Sequence, residues 1–163
     1  MIKLISNLTV EKQCKDHWCW AAVAVAIERY YGNSTVTQCT FASRFLTISD
    51  CCSDQDLQAC DTDKRLPEVL KFMHALGRTF HQVEAHFLMN EIDNQRPVCL
   101  RIAFNRKGHA VLIRGYDNSA PSRVSFFIGD PKFDVNAQIP FESLKTAYLG
   151  PGQWTHTYFT KGT

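Results

Sequence analysis

The chain has 163 residues, 18 of them Lys or Arg and 16 Asp or Glu, and a formal net charge of +2. Hydrophobic residues make up 45% of it and charged residues 21%, a composition that excludes a disordered tail, a collagen and a coiled coil. A charge this small, with no Lys or Arg run longer than two, argues against nucleic acid as the partner. The length predicts one domain spanning residues 1–163.

The first half of the chain carries the signals of helices. After an extended lead-in over 1–13, the segment 19–31 is apolar on nearly all sides and ends at Gly32, which predicts a buried central helix. The remaining segments predicted in this half are a helix over about 37–46, a polar loop over 47–65, a helix from Pro67 to Gly77, a strand near 79–83 and a helix over 85–94.

The period of the apolar residues changes after Pro97, where the second half begins. The predicted elements are strands over 98–104, 109–116, 123–128 and 154–160, with a short helix over 141–149. Helices first and antiparallel strands second predict an α+β fold, with a helical lobe over about 14–95 and a sheet lobe over about 96–163.

Nothing in the sequence predicts a membrane span or a signal peptide. The longest apolar run, over 18–27, has ten residues, whereas a spanning helix needs ~20. Residues 1–8 hold one Lys but neither an apolar core nor a small-residue cleavage site, so no signal peptide is expected.

The seven cysteines are an odd number, so at least one thiol is unpaired. Four of them, within 22 positions, predict two disulfides in one of three connectivities if the compartment is oxidising, and free thiols if it is not. A zinc site is the less favoured alternative, because no Cys-x-x-Cys pair is present. Cys99 lies in an apolar strand and is expected to be inert core. The four clustered cysteines are Cys39, Cys51, Cys52 and Cys60.

Cys19 differs from the other cysteines because it lies where the central helix is predicted to begin. The helix dipole and the free N–H groups of the first turn favour the thiolate there, and the thiolate is the nucleophile. Nucleophilic attack on a carbonyl also needs a base and donors for the oxyanion. Gln13, six residues earlier, and the Cys19 backbone N–H are the candidate donors.

The candidate base is His109, one of six histidines. It follows Gly108 and opens an apolar strand, which places it at the edge of the core, whereas His17 is too close to Cys19 in sequence to face it. Asp130, before Pro131 at the end of the next strand, is expected to accept a hydrogen bond from the Nδ1–H of His109 and to orient the ring.

At these residues the chain resembles papain-like cysteine peptidases of the bacterial branch, which includes bacteriocin-leader peptidase domains of ABC transporters and effector and toxin peptidases. The resemblance implies a two-lobed papain-like fold, with Cys19 on the helical lobe and His109 on the sheet lobe. The positions that carry it are Gln13, Cys19, Trp20, Gly108, His109, Asp130 and Pro131.

The resemblance also implies a reaction, namely hydrolysis of a peptide bond in a protein or peptide substrate through a Cys-His-Asp triad, with no cofactor and no metal. It implies an effector, toxin or leader-processing domain that is secreted or delivered as part of a larger protein, cleavage after Gly-Gly, and an immunity or inhibitor protein as a partner. Two alternatives stay open at this point: a deamidase or acyl transferase using the same Cys-His pair, and a catalytically inactive binding module.

Overall fold

A computed structural model describes residues 1–53, 57–120 and 122–162, which form six helices and seven strands. None of these helices is long and apolar enough to cross a bilayer. The helices are α1 (Cys19–Tyr30), α2 (Gln38–Leu46), α3 (Leu57–Cys60), α4 (Leu66–Phe72), α5 (Ala85–Asp93) and α6 (Phe141–Thr146). The strands are β1 (Ile2–Leu4), β2 (Leu76–Phe80), β3 (Val98–Phe104), β4 (Lys107–Ala120), β5 (Arg123–Gly129), β6 (Ala137–Pro140) and β7 (Gln153–Thr160).

The seven strands form one antiparallel sheet in the order β2-β7-β3-β4-β5-β6, with β1 paired to β4. The α+β architecture predicted from the sequence is confirmed. Strands β1 and β2 come from the first half of the chain, so the sheet gathers segments from both halves. In the β3–β4 hairpin, His109 pairs with Ile102, close to the turn that joins the two strands.

Helix α1 is the buried centre of the helical half. Its residues from Trp20 to Ile27 are at most 3% exposed, as expected for a helix that is apolar on every side. Gly32 follows the helix with a φ of +126°, a conformation that glycine adopts without strain and that commonly ends a helix. Because α1 packs against β4, its N-terminus lies beside the sheet.

Several segments differ from the sequence prediction. The helix predicted from Pro67 to Gly77 ends at Phe72, because His74 takes a positive φ of 59° and turns the chain into β2. The predicted loop over 47–65 contains the short helix α3, and its positions 54–56 lie outside the described residues. Strands β1 and β6, of three and four residues, are too short for a period of two to reveal them.

Two disulfides cross-link the loop that follows α2. Cys39 is bonded to Cys52, and Cys51 to Cys60, which is one of the three connectivities open to the sequence. The four sulfurs are therefore not thiolates available to zinc. Within the described part of the chain, the free cysteines are Cys14, Cys19 and Cys99.

Candidate active site

A cleft of about 620 Å³ separates the segment before α4 from the β3–β4 hairpin. Residues 63–67 form one wall and residues 106–110 the other, while β7 contributes His156 and Tyr158. Cys19 and His109 both line this cleft. The fold therefore brings the predicted nucleophile and the predicted base to one surface, although 90 positions separate them in the chain.

Trp18 and Trp20, the residues before and after Cys19 in the chain, fix its position through hydrogen bonds. Trp18 is the N-cap of α1, and its indole Nε1 donates to the Cys60 carbonyl at 2.7 Å, while Trp20 donates to the Thr62 carbonyl at 2.9 Å. Both rings are fully buried, so they pack beneath the disulfide-bonded loop and do not line the cleft. As the first residue of α1, Cys19 keeps a backbone N–H that has no acceptor within the helix.

The segment before the nucleophile is tied down by Gln38, a buried residue of α2 that sequence reasoning missed. Its Nε2 donates to the Lys12 carbonyl at 2.7 Å, and its Oε1 accepts from the Cys14 N–H at 2.8 Å. The backbone N–H of Gln13 donates to the Pro131 carbonyl at 2.9 Å. The chain on the nucleophile side is thus linked directly to the turn that carries Asp130.

The side chain of Gln13 orders its own loop in this structure. Its Nε2 donates to the carbonyls of Lys15, at 2.9 Å, and Asp16, at 2.7 Å. Both amide hydrogens are thereby used, and the buried Oε1 has no partner among the described residues. Gln13 lies next to the segment that leads into Cys19, but its amide hydrogens are not directed into the cleft.

His109 meets Asp130 through Nε2, at 2.7 Å from the carboxylate Oδ1. The sequence-based expectation that Asp130 accepts from Nδ1 is therefore wrong. The reason is reach: Nε2 is the ring nitrogen farther from the backbone, and Asp130 lies beyond the end of the neighbouring strand β5. Nδ1 is the ring nitrogen that remains for Cys19, whose sulfur lies close enough to raise the pKa of His109.

The protonated form of His109 is favoured. Burial alone lowers the pKa of His109, but the hydrogen bond to Asp130, the Asp130 charge and the neighbouring Cys19 outweigh burial and raise it to about 9. The folded chain therefore holds this proton more tightly than the unfolded chain does. The resulting stabilisation is complete below the ordinary histidine pKa of ~6.5 and is lost as the pH rises through about 9.

Asp130 is fully buried, and both oxygens of its carboxylate accept hydrogen bonds. Its Oδ1 accepts from His109 and from the backbone N–H groups of Lys132, at 2.9 Å, and Phe133, at 3.1 Å. Its Oδ2 accepts from the Tyr148 hydroxyl at 2.6 Å. Burial opposes ionisation, but these hydrogen bonds keep the pKa of Asp130 below its ordinary value. The carboxylate is therefore anionic and fixed in position.

Tyr148 is the second residue that sequence reasoning missed. Burial and the neighbouring Asp130 charge raise the pKa of Tyr148, so the hydroxyl keeps its proton and acts as a donor. The residue follows α6, 18 positions after Asp130. No motif marks it, because nothing local distinguishes it from an ordinary core tyrosine.

Aromatic rings enclose the His109–Asp130 pair. The ring centroids of Phe104 and Phe133 lie 6.1 Å and 5.7 Å from that of His109, and Phe104 also contacts Tyr148. This enclosure leaves His109 only 7% exposed. An ion pair shielded in this way is screened by water and salt less than a surface pair.

The other free thiols lie in different surroundings. Cys99 is fully buried, and burial raises the pKa of its thiol, in line with its expected place in the core. Cys14 is an exposed residue, although its sulfur is partly buried. This partial burial, and then the charge of Glu11, raise the pKa of the Cys14 thiol. Of the free thiols among the described residues, Cys19 is the one that lines the cleft with a histidine.

A family model described as papain-like cysteine protease AvrRpt2 matches residues 4–148. The chain belongs to this family of papain-like cysteine proteases. A crystal structure described as a C39-like peptidase from Bacillus anthracis has the same fold, with a TM-score of 0.60, 16% sequence identity and 100% of each chain covered. A comparison with curated proteins finds no match. As a papain-like cysteine protease the chain is an enzyme, and its substrates are proteins.

Proposed function

We propose that this protease cleaves its substrates through a Cys19-His109-Asp130 triad, with Cys19 as nucleophile. The observation that carries the proposal is the position of His109, which lines the cleft together with Cys19 and is hydrogen-bonded to the buried Asp130. Nucleophile, base and orienting group are thereby brought together at one surface, the arrangement that nucleophilic catalysis requires.

The reaction begins from a Cys19 thiolate beside a protonated His109. The sulfur attacks the scissile carbonyl carbon, and the carbonyl oxygen takes up the negative charge of the tetrahedral intermediate. His109 then transfers its proton to the departing amine, which leaves a thioester on Cys19. Water attacks this thioester as His109 accepts the water proton, and collapse of the second intermediate releases the acid and restores the thiolate. Asp130 stays anionic throughout and holds the imidazole in place.

The oxyanion is stabilised by the backbone N–H of Cys19 together with Gln13. The N–H is supported as a donor by its place in the first turn of α1. Gln13 contributes if one of its two bonds, to the Lys15 or Asp16 carbonyl, is exchanged for a bond to the substrate oxygen. This exchange needs only a short movement, because the Gln13 amide already lies in the loop that precedes Cys19.

We place the protease among effector or toxin peptidases that act on a protein target. The resemblance of its motifs to those of bacterial effector and toxin peptidases supports this placement. Cleavage after paired small residues such as Gly-Gly, and an immunity or inhibitor protein as partner, stay predictions from the resemblance.

Casein digested in H₂¹⁸O tests the proposed reaction. Hydrolysis creates new peptide C-termini that carry ¹⁸O, whereas deamidation places ¹⁸O in a side-chain carboxylate of an intact peptide and creates no termini. The wild type and Cys14→Ala are expected to produce labelled termini, and Cys19→Ala none. Mass shifts without new termini would assign the chain to deamidases, and equal cleavage by Cys19→Ala would remove Cys19 as the nucleophile.

A further inference from the structure

The cleft beside Cys19 is strongly cationic. Five of its lining side chains are Lys or Arg, and one, Asp63, is an acid. The whole chain carries a formal charge of only +2, so positive charge is concentrated at the place where substrate must bind. A cleft lined by one sign of charge raises the local concentration of oppositely charged ligands. The cationic residues are Lys64, Arg65, Arg101, Arg106 and Lys107.

Arg101 is the member of this set that lies within the sheet. It pairs with Ala110 on β4 and with His156 on β7, and all three residues line the cleft. The guanidinium is partly buried and donates at 2.9 Å to the hydroxyl of Thr155, a neutral acceptor. Among the described residues no carboxylate lies within 4.0 Å of it, whereas Arg65 has Glu68 at 3.6 Å.

Gly108 makes room for this guanidinium next to the base. A Cβ atom at position 108 would lie 2.7 Å from the Arg101 Nε and 3.0 Å from an Nη atom. Any other residue there would push the Arg101 side chain aside. Because Gly108 has no side chain, the positively charged Arg101 guanidinium can lie against position 108, directly before His109 in the chain.

The surroundings of Arg101 are poor in negative charge. Burial and then the charges of His81, Arg101 and Arg65 lower the pKa of His156, which is what a histidine among cations undergoes. Among the described residues, Arg101 thus presents to the cleft a positive charge that no carboxylate neutralises. It is the arrangement expected where the partner arrives with the ligand.

We propose that this cleft selects substrate segments with an Asp or Glu side chain close to the scissile bond, and that Arg101 binds this carboxylate. The proposal rests on the proposed peptidase function and defines the class of its substrates. Arginine suits the role because its planar fork binds a carboxylate through two parallel hydrogen bonds. The surrounding Lys and Arg side chains raise the local concentration of acidic segments through their charge.

A tryptic peptide library from a bacterial lysate, digested with the protease, tests both levels of the proposal. No cleavage above the level of Cys19→Ala would refute the peptidase function itself. Cleavage with Asp or Glu enriched at one position near the cut supports the inference. Cleavage without such enrichment overturns it while leaving the peptidase function intact.

Charge reversal at Arg101 then tests the assigned residue. Three quenched fluorescent peptides are made from the best library sequence, with Glu, Gln or Lys at the enriched position. The wild type is expected to favour Glu over Lys by at least about tenfold in kcat/KM, the ratio typical of one hydrogen-bonded charge pair. Arg101→Glu should favour Lys instead, and Arg101→Gln should lose the preference.

Arg123→Glu is the matched control, since Arg123 is an exposed residue of β5 that does not line the cleft. It should keep the wild-type ratio. Raising NaCl from 0.05 to 1 M should shrink the wild-type preference, because salt screens partly exposed charges, and this result does not depend on any variant folding. An unchanged Glu-to-Lys ratio in Arg101→Gln, or in wild type at high salt, would overturn the role of Arg101.

Discussion

Replacing Tyr148 by Phe removes one hydroxyl group from the centre of the site and nothing else. The Asp130 Oδ2 then loses its hydrogen bond of 2.6 Å while staying fully buried. A hydrogen bond to a charged group contributes about 1.5–3 kcal/mol. The melting temperature is therefore expected to fall by about 4–8 °C, taking about 2 kcal/mol and a chain of this size.

The effect on catalysis is expected to be partial. Asp130 keeps the donors on its other oxygen, namely His109 and two backbone N–H groups, so it still holds the imidazole. A loss of about 1.4 kcal/mol in the transition state corresponds to tenfold in rate, and kcat/KM should fall on that order. With one donor fewer, the pKa of Asp130 moves up toward its ordinary value, so the acidic limb of the pH–rate profile should shift to higher pH.

Turnover of fluorescein-labelled casein between pH 4 and 9, with thermal unfolding measured in parallel, separates these effects. Tyr116→Phe is the control, because the Tyr116 hydroxyl donates to Asp93 at 2.8 Å, outside the cleft. It should lower the melting temperature less, since Asp93 is 39% exposed, and leave the pH profile unchanged. If Tyr148→Phe loses stability but its pH profile superimposes on that of the wild type, Tyr148 does not act through Asp130.

Three further variants test the roles of Gln13, of His109 and of the disulfide between Cys51 and Cys60. Gln13→Ala should lower kcat by ~10²–10³ if its amide stabilises the oxyanion, with Cys19 alkylation by iodoacetamide unchanged; if both rates fall together, Gln13 only orders the loop. His109→Ala should slow alkylation of Cys19 at pH 6, where the wild-type imidazole is fully protonated because its pKa is about 9; equal rates would show that His109 is not the partner. Changing Cys51 and Cys60 to Ala together should cost about 2–3 kcal/mol of unfolding free energy and also slow casein turnover, because the Cys60 carbonyl holds the tryptophan before the nucleophile; full activity after reduction would contradict this coupling.

The residues that sequence reasoning found carry local signals. Cys19 opens an apolar helix, and both His109 and Asp130 lie near a strand end, next to a Gly and a Pro. The period of the apolar residues around each of these positions predicts the helix or strand that bears it. That Cys19 and His109 share one surface is what the resemblance to papain-like peptidases implies, since the order of helices before strands indicates only an α+β fold.

The features that were missed depend on contacts between distant segments. Tyr148 and Gln38 look like ordinary core and helix residues until the chain is folded, and the ring nitrogen that faces Asp130 depends on side-chain torsions. The disulfide connectivity needs the Cα separations of 5.6 and 5.5 Å, which spacing along the chain does not provide. Arg101 was visible as a charge inside an apolar strand, but its lack of a carboxylate partner is a property of the fold.

Trapping the acyl-enzyme is the most direct test of the central claim, that Cys19 attacks a carbonyl with help from His109. The protease is mixed with an activated ester, Z-glycine p-nitrophenyl ester, quenched in acid within seconds, and mapped by peptide mass spectrometry. We expect one acyl group per chain, on Cys19, removed by hydroxylamine and strongly reduced in His109→Ala. Acylation mainly on the more exposed Cys14, or at an equal rate in Cys19→Ala, would contradict it.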